Sequence, residues 1–184
     1  MLASFNGSNG AFPLADLTLS GNTLYGTTVD GGTNNDGVVF SLPITGGTPT
    51  VLASFNGSDG WGPIAGLILC GNTLYATTNE GGAYSAPYSA PYGYGVVFSL
   101  PITGGTPTVL ASFNDSDGAD PIGDLTLFGN TLYGTTQGGG ANNAGTVFSV
   151  SVPEPASVSI LAMGAVLALR RRRAGTPAKN GSNA

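Results

Sequence analysis

Histidine is missing from this 184-residue chain, and neither lysine nor arginine occurs between Met1 and Ser151. A Ser-His-Asp or Cys-His constellation is thereby excluded, and so is a metal site built on imidazole. Cysteine is almost as scarce: Cys70 stands alone, so no disulfide forms within the chain. It takes the place that Ser20 and Phe128 hold in the related segments below, at a strand end, where a thiol packs as a small apolar group. A chain without disulfides relies on its core and its backbone pairing. Charge is thin too, at 8% of residues. As far as Ser151 it consists of nine acids (Asp16, Asp30, Asp36, Asp59, Glu80, Asp115, Asp117, Asp120 and Asp124), a net −9 that the whole-chain value of −5 conceals. Such a surface repels phosphate backbones and anionic headgroups, which excludes nucleic acid as a partner.

What the chain has in quantity is glycine, 31 residues, and proline, 12 residues, a composition of many turns rather than long helices. It also repeats itself. Leu24-Tyr25 returns at Leu74-Tyr75 and Leu132-Tyr133, and Phe40 returns at Phe98 and Phe148. The spacings are 50 and 58 for the first series and 58 and 50 for the second. Eight extra residues therefore lie between Gly82 and Gly95, in the second copy only. Such periodicity is read before any motif.

Each copy predicts four short strands. Asp16–Leu19 and Leu24–Thr28 flank Gly21-Asn22, a hairpin signal because both residues tolerate positive φ; it returns as Gly71-Asn72 and Gly129-Asn130. Gly37–Leu42 ends at Pro43, which closes a strand but does not sit inside one. After the Thr45-Gly46-Gly47 turn comes Thr50–Phe55. These runs alternate or are rich in β-branched and aromatic residues. Four antiparallel strands at a period near 50 are the arithmetic of a propeller blade. The expected fold is all-β: three propeller-like four-stranded antiparallel blades over 1–150 (1–50, 51–108, 109–150), followed by a short apolar helix. The Leu-Tyr-Gly-Thr-Thr, Gly-Gly and Val-Phe-Ser-Leu pieces resemble the tandem GloVer repeat of bacterial surface proteins, over roughly Leu2 to Val150. That resemblance also implies propeller-like blades. Tyr75-Ala76 departs from its usual Tyr-Gly.

The last copy lacks a fourth strand, while Leu2–Phe5 reads as a fourth strand without a blade. In a complete ring the first strand would pair with the final blade. Three blades are too few for a stable ring, so an open array or a distorted closure is expected, with exposed edges that association of several chains would cover. Met1–Phe5 copies Val51–Phe55 and Val109–Phe113, so the chain opens mid-repeat and without a leader. The expectation is a fragment or a misplaced start, which an in-frame stop just upstream would overturn.

The C-terminal end is written in another alphabet. Val152-Pro153-Glu154-Pro155 leads into Ala156–Leu169, fourteen uncharged residues, and Arg170, Arg171, Arg172 and Arg173 close the run. As a helix, 156–169 would span about 21 Å, short of the roughly 30 Å hydrocarbon core. The arginines would stay on the cytoplasmic side. These three parts, in this order, resemble the PEP-CTERM sorting signal of bacterial exported proteins. The resemblance implies recognition by an exosortase, a membrane-embedded cysteine transpeptidase that cuts near the Pro-Glu-Pro step. It thus implies a membrane anchor at 151–173 before processing, then a cell-surface or extracellular address. Residues 174–184 run on beyond the arginines as an expected disordered tail, and an ordinary tail anchor is the alternative.

Three constellations offer chemistry. Asp115, Asp117, Asp120 and Asp124 cluster in sequence and would suit glycoside hydrolysis, but the other copies hold mostly Asn, Gly and Ser there. The chain is expected not to be an enzyme. Asp115, Asp117 and Asp120 are also weak calcium candidates; an EF-hand register with Gly118 sixth puts Phe113 at the first ligand position, leaving a looser oxygen cage or a plain Asx turn. No other cofactor is implied. The insert holds Tyr84, Tyr88, Tyr92 and Tyr94 among alternating prolines, an extended excursion. In an antiparallel blade the loops joining strands two to three and four to one emerge on one side. Trp61 should then share a side with those tyrosines, where aromatics beside Asp and Asn suit an extracellular polysaccharide. A low-complexity loop lengthened by duplication of Tyr-Ser-Ala-Pro is the alternative. The Asn-x-Ser sites, the glycine pairs and Gly164 support neither glycosylation, phosphate binding nor helix pairing. Two functions remain: a sorted surface or matrix protein with structural or adhesive repeats, and a sugar- or calcium-binding module.

Overall fold

The computed structural model describes residues 1–84 and 93–152, and 1–152 form one compact unit. The helix expected at 156–169, the sorting-signal residues Pro153 to Arg173 and the tail 174–184 lie outside the described residues, as do Tyr88 and Tyr92. Among the described residues there is no helix, and none long and apolar enough to cross a membrane.

The described residues form three antiparallel sheets. In the first, β1 (Thr18–Ser20), β2 (Thr23–Thr28), β3 (Val38–Pro43) and β4 (Thr50–Ser54) lie side by side in chain order. The second repeats this with β5 (Ile68–Cys70), β6 (Thr73–Thr78), β7 (Val96–Pro101) and β8 (Thr108–Ser112). The third holds β9 (Thr126–Phe128), β10 (Thr131–Thr136) and β11 (Thr146–Ser151). First strands are shorter than expected, beginning at Thr18 rather than Asp16, because Asp16 and Leu17 gain no ladder partner on β2.

Local chemistry sets the hairpins. Gly21, Gly71 and Gly129 take φ of 57°, 59° and 57°, while the asparagine after each does not enter the left-handed region. The expected hairpins form at all three pairs, and positive φ at the first central residue alone is the II′ pattern. The asparagine contributes its carbonyl instead: Asn22 O accepts from Ile44 N at 3.0 Å, Asn72 O from Ile102 N at 3.0 Å and Asn130 O from Val152 N at 2.8 Å. This ties the hairpin to the residue that leaves each third strand.

Glycine has a packing role in the second strand. Gly26 pairs with Phe40, and a Cβ there would stand 2.7 Å from the phenylalanine ring and 2.8 Å from Leu17. Ala76 is the second sheet's departure, and its methyl group is buried in the core.

The fourth strand joins one sheet to the next. β4 pairs with β3 through Val38–Ser54, Val39–Ala53 and Phe40–Val51, leaving Leu52 as a bulge residue. Its carbonyl turns out of the ladder and accepts from Gly105 N of the second copy at 3.0 Å. Phe55, just past β4, packs edge-to-face on Phe98 at 5.1 Å. Phe113 repeats this on Phe148 at 4.9 Å.

The core lies between sheets. Tyr25, Val39 and Ala53 of the first pack against Leu67, Leu74, Phe98 and Leu100 of the second. Tyr75 and Val97 of the second pack against Leu125 and Leu132 of the third, where Val152 is also buried. Polar ties accompany this packing. The Thr77 hydroxyl donates to Pro121 O at 3.1 Å, the Thr18 hydroxyl to the Leu67 carbonyl, and Gly66 N to Asp124 Oδ1 at 2.6 Å. Asp124→Ala should cost about 1 kcal/mol by removing the acceptor of a part-buried tie, measured by urea denaturation.

Leu2–Phe5 is not a strand, which corrects that expectation. The segment has only the second half of a fourth strand's contacts. Leu2 O accepts from Gly47 N at 2.9 Å, and Phe5 packs on Phe40 at 5.0 Å, but no sheet lies beside it to form a ladder. β11 ends the third sheet with no fourth strand among the described residues, and Leu2–Phe5 forms no ladder with it.

Candidate functional site

The loops that lead from each fourth strand to the next first strand share one construction. Asn56 N donates to Asp59 Oδ1 at 2.9 Å and Asp59 N to Asn56 Oδ1 at 3.3 Å, a reciprocal clasp. Asn6 with Asn9 and Asn114 with Asp117 form the same pair. Asparagine and aspartate do this because a short side-chain acceptor reaches a main-chain N–H three residues away. Asp115 and Asp120 hold left-handed backbone, at φ of 72° and 54°, in the places of Gly57 and Gly62. Asp115 and Asp117 thus serve the turn, while Asp120 lies past it with its N–H donating to Tyr94 O at 3.1 Å. Among the described residues, no group of three or more acidic or cysteine side chains stands close enough to hold a metal ion.

Beyond the clasp the chain forms a two-way bridge to the loop between strands two and three. Trp61 N donates to Glu80 O at 2.9 Å and Glu80 N to Trp61 O at 3.0 Å. The bridge places Trp61 beside the start of the loop that carries Tyr84 and, at its far end, Tyr94. The loop from strand four to strand one, which holds Trp61, is thereby joined to the loop from strand two to strand three, which holds Tyr84 and Tyr94. Tyr84 is about half exposed, while Tyr94 is half-buried against the third sheet's core. Tyr94 O accepts from Asp120 N at 3.1 Å, so the insert's end also meets the third copy's loop.

Acidic groups gather around this junction. Burial, and then the charge of Asp120, hold the Glu80 carboxyl above its ordinary range, and its Oε2 is buried without a hydrogen-bond partner. Asp120 is raised by burial and then by Asp115. Between the first and second copies, Asp36 is raised by burial, Asp59 and Asp30, and Asp59 by burial against the N–H groups it accepts from. No lysine, arginine or histidine side chain occurs between Met1 and Ser151 to offset them.

The sign of the pH dependence follows. A carboxyl whose folded pKa lies above its unfolded value binds more protons in the fold, so stability falls as pH rises through that window and levels off above it. The melting temperature of the full chain should therefore be higher near about pH 4 than at about pH 7. Glu80→Gln should flatten this slope, measured by calorimetry across that range. A melting temperature that climbs steadily towards neutral pH would refute the assignment.

The same clasp, bridge and hairpin thus occur three times on one frame of strands. A family model described as the Gloeobacter/Verrucomicrobia repeat matches residues 1–164. The chain belongs to this family. No curated protein and no solved structure matches it. Among the Gloeobacter/Verrucomicrobia repeats of this chain, the second stands apart by Trp61, Glu80 and the insert. Glu80 was not singled out from the sequence. Comparing copies position by position puts Asp30, Glu80 and Gly138 at one site, a signal that a carboxylate matters in two repeats. Part of its shift comes from the charge of the third repeat's Asp120, which no local pattern shows.

Proposed function

We infer that the chain is an exported bacterial surface or extracellular-matrix repeat protein with a structural or adhesive role, its sheets serving as blades of a propeller-like array. One observation carries the reading. The edge-to-face phenylalanine pair and the sheet-to-sheet packing recur from the first junction to the second, and among the residues that differ between copies Trp61, Glu80, Tyr84, Tyr94, Asp115 and Asp120 lie in loops. A reused frame with varied loops fits a scaffold that displays a surface. Sidedness of charge agrees, since a base-free front portion and an arginine-closed end suit export with the end held at the bilayer. In this reading Val152 to Arg173 is the sorting signal, an exosortase-type transpeptidase is the processing partner, and no catalytic step belongs to the repeats. Fractionation of full-length protein tagged in the repeats, with and without the sorting enzyme, tests it. The expected result is membrane-bound protein without the enzyme and a shorter, external form with it. Uncut protein in the cytosol in both strains would refute it.

A second reading is sugar binding, supported by main-chain bonds between Trp61 and Glu80 and from Asp120 N to Tyr94 O, which join loops that carry aromatic and acidic residues. Sugar rings stack on aromatic faces and bond to carboxylates at their edges. Trp61→Ala should then weaken polysaccharide retention at least tenfold on a glycan array. Equal binding by the variant would remove this reading.

A further inference from the structure

We propose that the chain associates head to tail with a second copy of itself, the open face of its third sheet receiving the Leu2–Phe5 segment and the first-sheet face of the partner. The proposal is independent of the export reading. It rests on the interface that already joins the sheets inside one chain, which occurs twice and is half-presented at each end.

Consider the end formed by β11 and β10. Val39 and Val97 are each 0% exposed beneath the next sheet, but their counterpart Val147 is 81% exposed. Tyr25 and Tyr75 are each 7% exposed, whereas Tyr133 is 42% exposed. At the other end, Leu67 and Leu125 lie at 6% and 5% beneath the preceding sheet, while Leu17 in the first copy is 54% exposed. The two faces are the complementary halves of one interface. One is what each sheet offers forward, and the other is what each sheet offers back.

Backbone groups match in the same way. Gly62 N donates to Asp36 O at 3.1 Å across the first junction, and Asp120 N donates to Tyr94 O at 3.1 Å across the second. Phe12 and Ala144 hold the corresponding positions at the two ends, and Phe12 already has the left-handed backbone of Gly62 and Asp120, at φ 55°. The fourth-strand segment completes the fit. Within the chain, Val51–Phe55 pairs with β3 and places its bulge carbonyl and its phenylalanine on the next sheet. Leu2–Phe5 already makes the second set of contacts, to Gly47 and Phe40, and β11 has the edge for the first set. Transferring the β3–β4 register puts the partner's Ser4 opposite Thr146, its Ala3 opposite Val147 and its Met1 opposite Phe148. An edge strand beside an exposed apolar face is a template for such pairing. Because the two faces differ, the contact is heterologous and continues into a ring or filament unless capped.

The test uses the full chain in sedimentation velocity over a concentration series. The unsubstituted chain should exceed its 18.2 kDa monomer mass at high concentration. Val147→Lys and Leu17→Lys should each sediment as monomers, since a charge on either face breaks every contact of the chain. Both sites are exposed, so circular dichroism should show both variants folded. Mixed one to one, they should form a capped dimer, because each retains the face that the other needs. A Cys70→Ser chain carrying Ala3→Cys and Val147→Cys should cross-link between molecules on oxidation. A monomer at every concentration overturns the proposal, as does association that survives both substitutions, which would point to residues 153–184. A cross-link within single molecules also overturns it, since the chain would then close on itself.

Discussion

Phe98→Ala should destabilise the repeat unit by about 3–5 kcal/mol, the usual cost of emptying a fully buried phenylalanine site. Phe98 lies at the junction of the first and second sheets, with none of its surface in water, and meets Phe55 edge-to-face at 5.1 Å. Alanine there removes the partner of one ring and leaves a cavity lined by residues of both sheets, which strands on either side prevent from collapsing. Total stability for a domain of this size is about 5–15 kcal/mol, so the loss is a large fraction of the whole. Phe148→Ala makes the comparison. Its ring has the same partnership, with Phe113 at 4.9 Å, but is only half-buried, since no sheet among the described residues stacks on the far side of the third. Its cost should be about 1–2 kcal/mol, in line with the smaller area withdrawn from water. Urea denaturation followed by tyrosine and tryptophan fluorescence measures both. Equal losses for the two variants would mean that the third sheet is as well covered as the second.

Gly81→Ala should cost about 3 kcal/mol, near the upper range for overpacking. Two effects add. Gly81 has a φ of +88°, where a side chain is disfavoured by about 1 kcal/mol. Its Cβ would also stand 2.6 Å from Gly57 O and 2.7 Å from the Cα and carbonyl carbon of Gly60. Those atoms are main chain, fixed by the bonds between Gly57 and Gly60 and by Gly82 N donating to Gly57 O at 2.9 Å, so none can swing away. Gly71→Ala separates the terms: its φ is +59°, but a Cβ would meet nothing within 4 Å. That variant should lose only about 1 kcal/mol. A Gly81→Ala chain that melts with the Gly71→Ala chain would show that the loop yields freely.

The frame of the fold was legible because its signals are local. A Gly-Asn pair between β-rich runs marks each hairpin, and the 50- and 58-residue spacings set the copies and place the insert. Connectivity alone suggested that Trp61 and the insert emerge on one side, and the main chain of Trp61 is bonded to that of Glu80 in the loop that leads to the insert. The site's electrostatics were not legible. Glu80 is raised by burial and by Asp120, forty residues away in sequence, and only packing between the second and third repeats brings them together. Nor could the sequence show that Leu2–Phe5 is held by Gly47 and Phe40 rather than by a strand beside it, since a fourth strand needs a neighbouring edge as much as a suitable composition.

From the amino-acid order alone came the all-β class, the threefold repetition, the absence of a histidine-based centre and the concentration of all basic side chains after Ser151. These are matters of residue type and spacing, to which short-range sterics and alternation respond directly. Tertiary structure alone decided the environment of each copy. Val39, Val97 and Val147 each precede Phe-Ser on a third strand, but the first two are sealed from water and the last is open to it. Burial is conferred by what lies across the interface. The first two sheets have a sheet stacked on that face, and the third has none among the described residues.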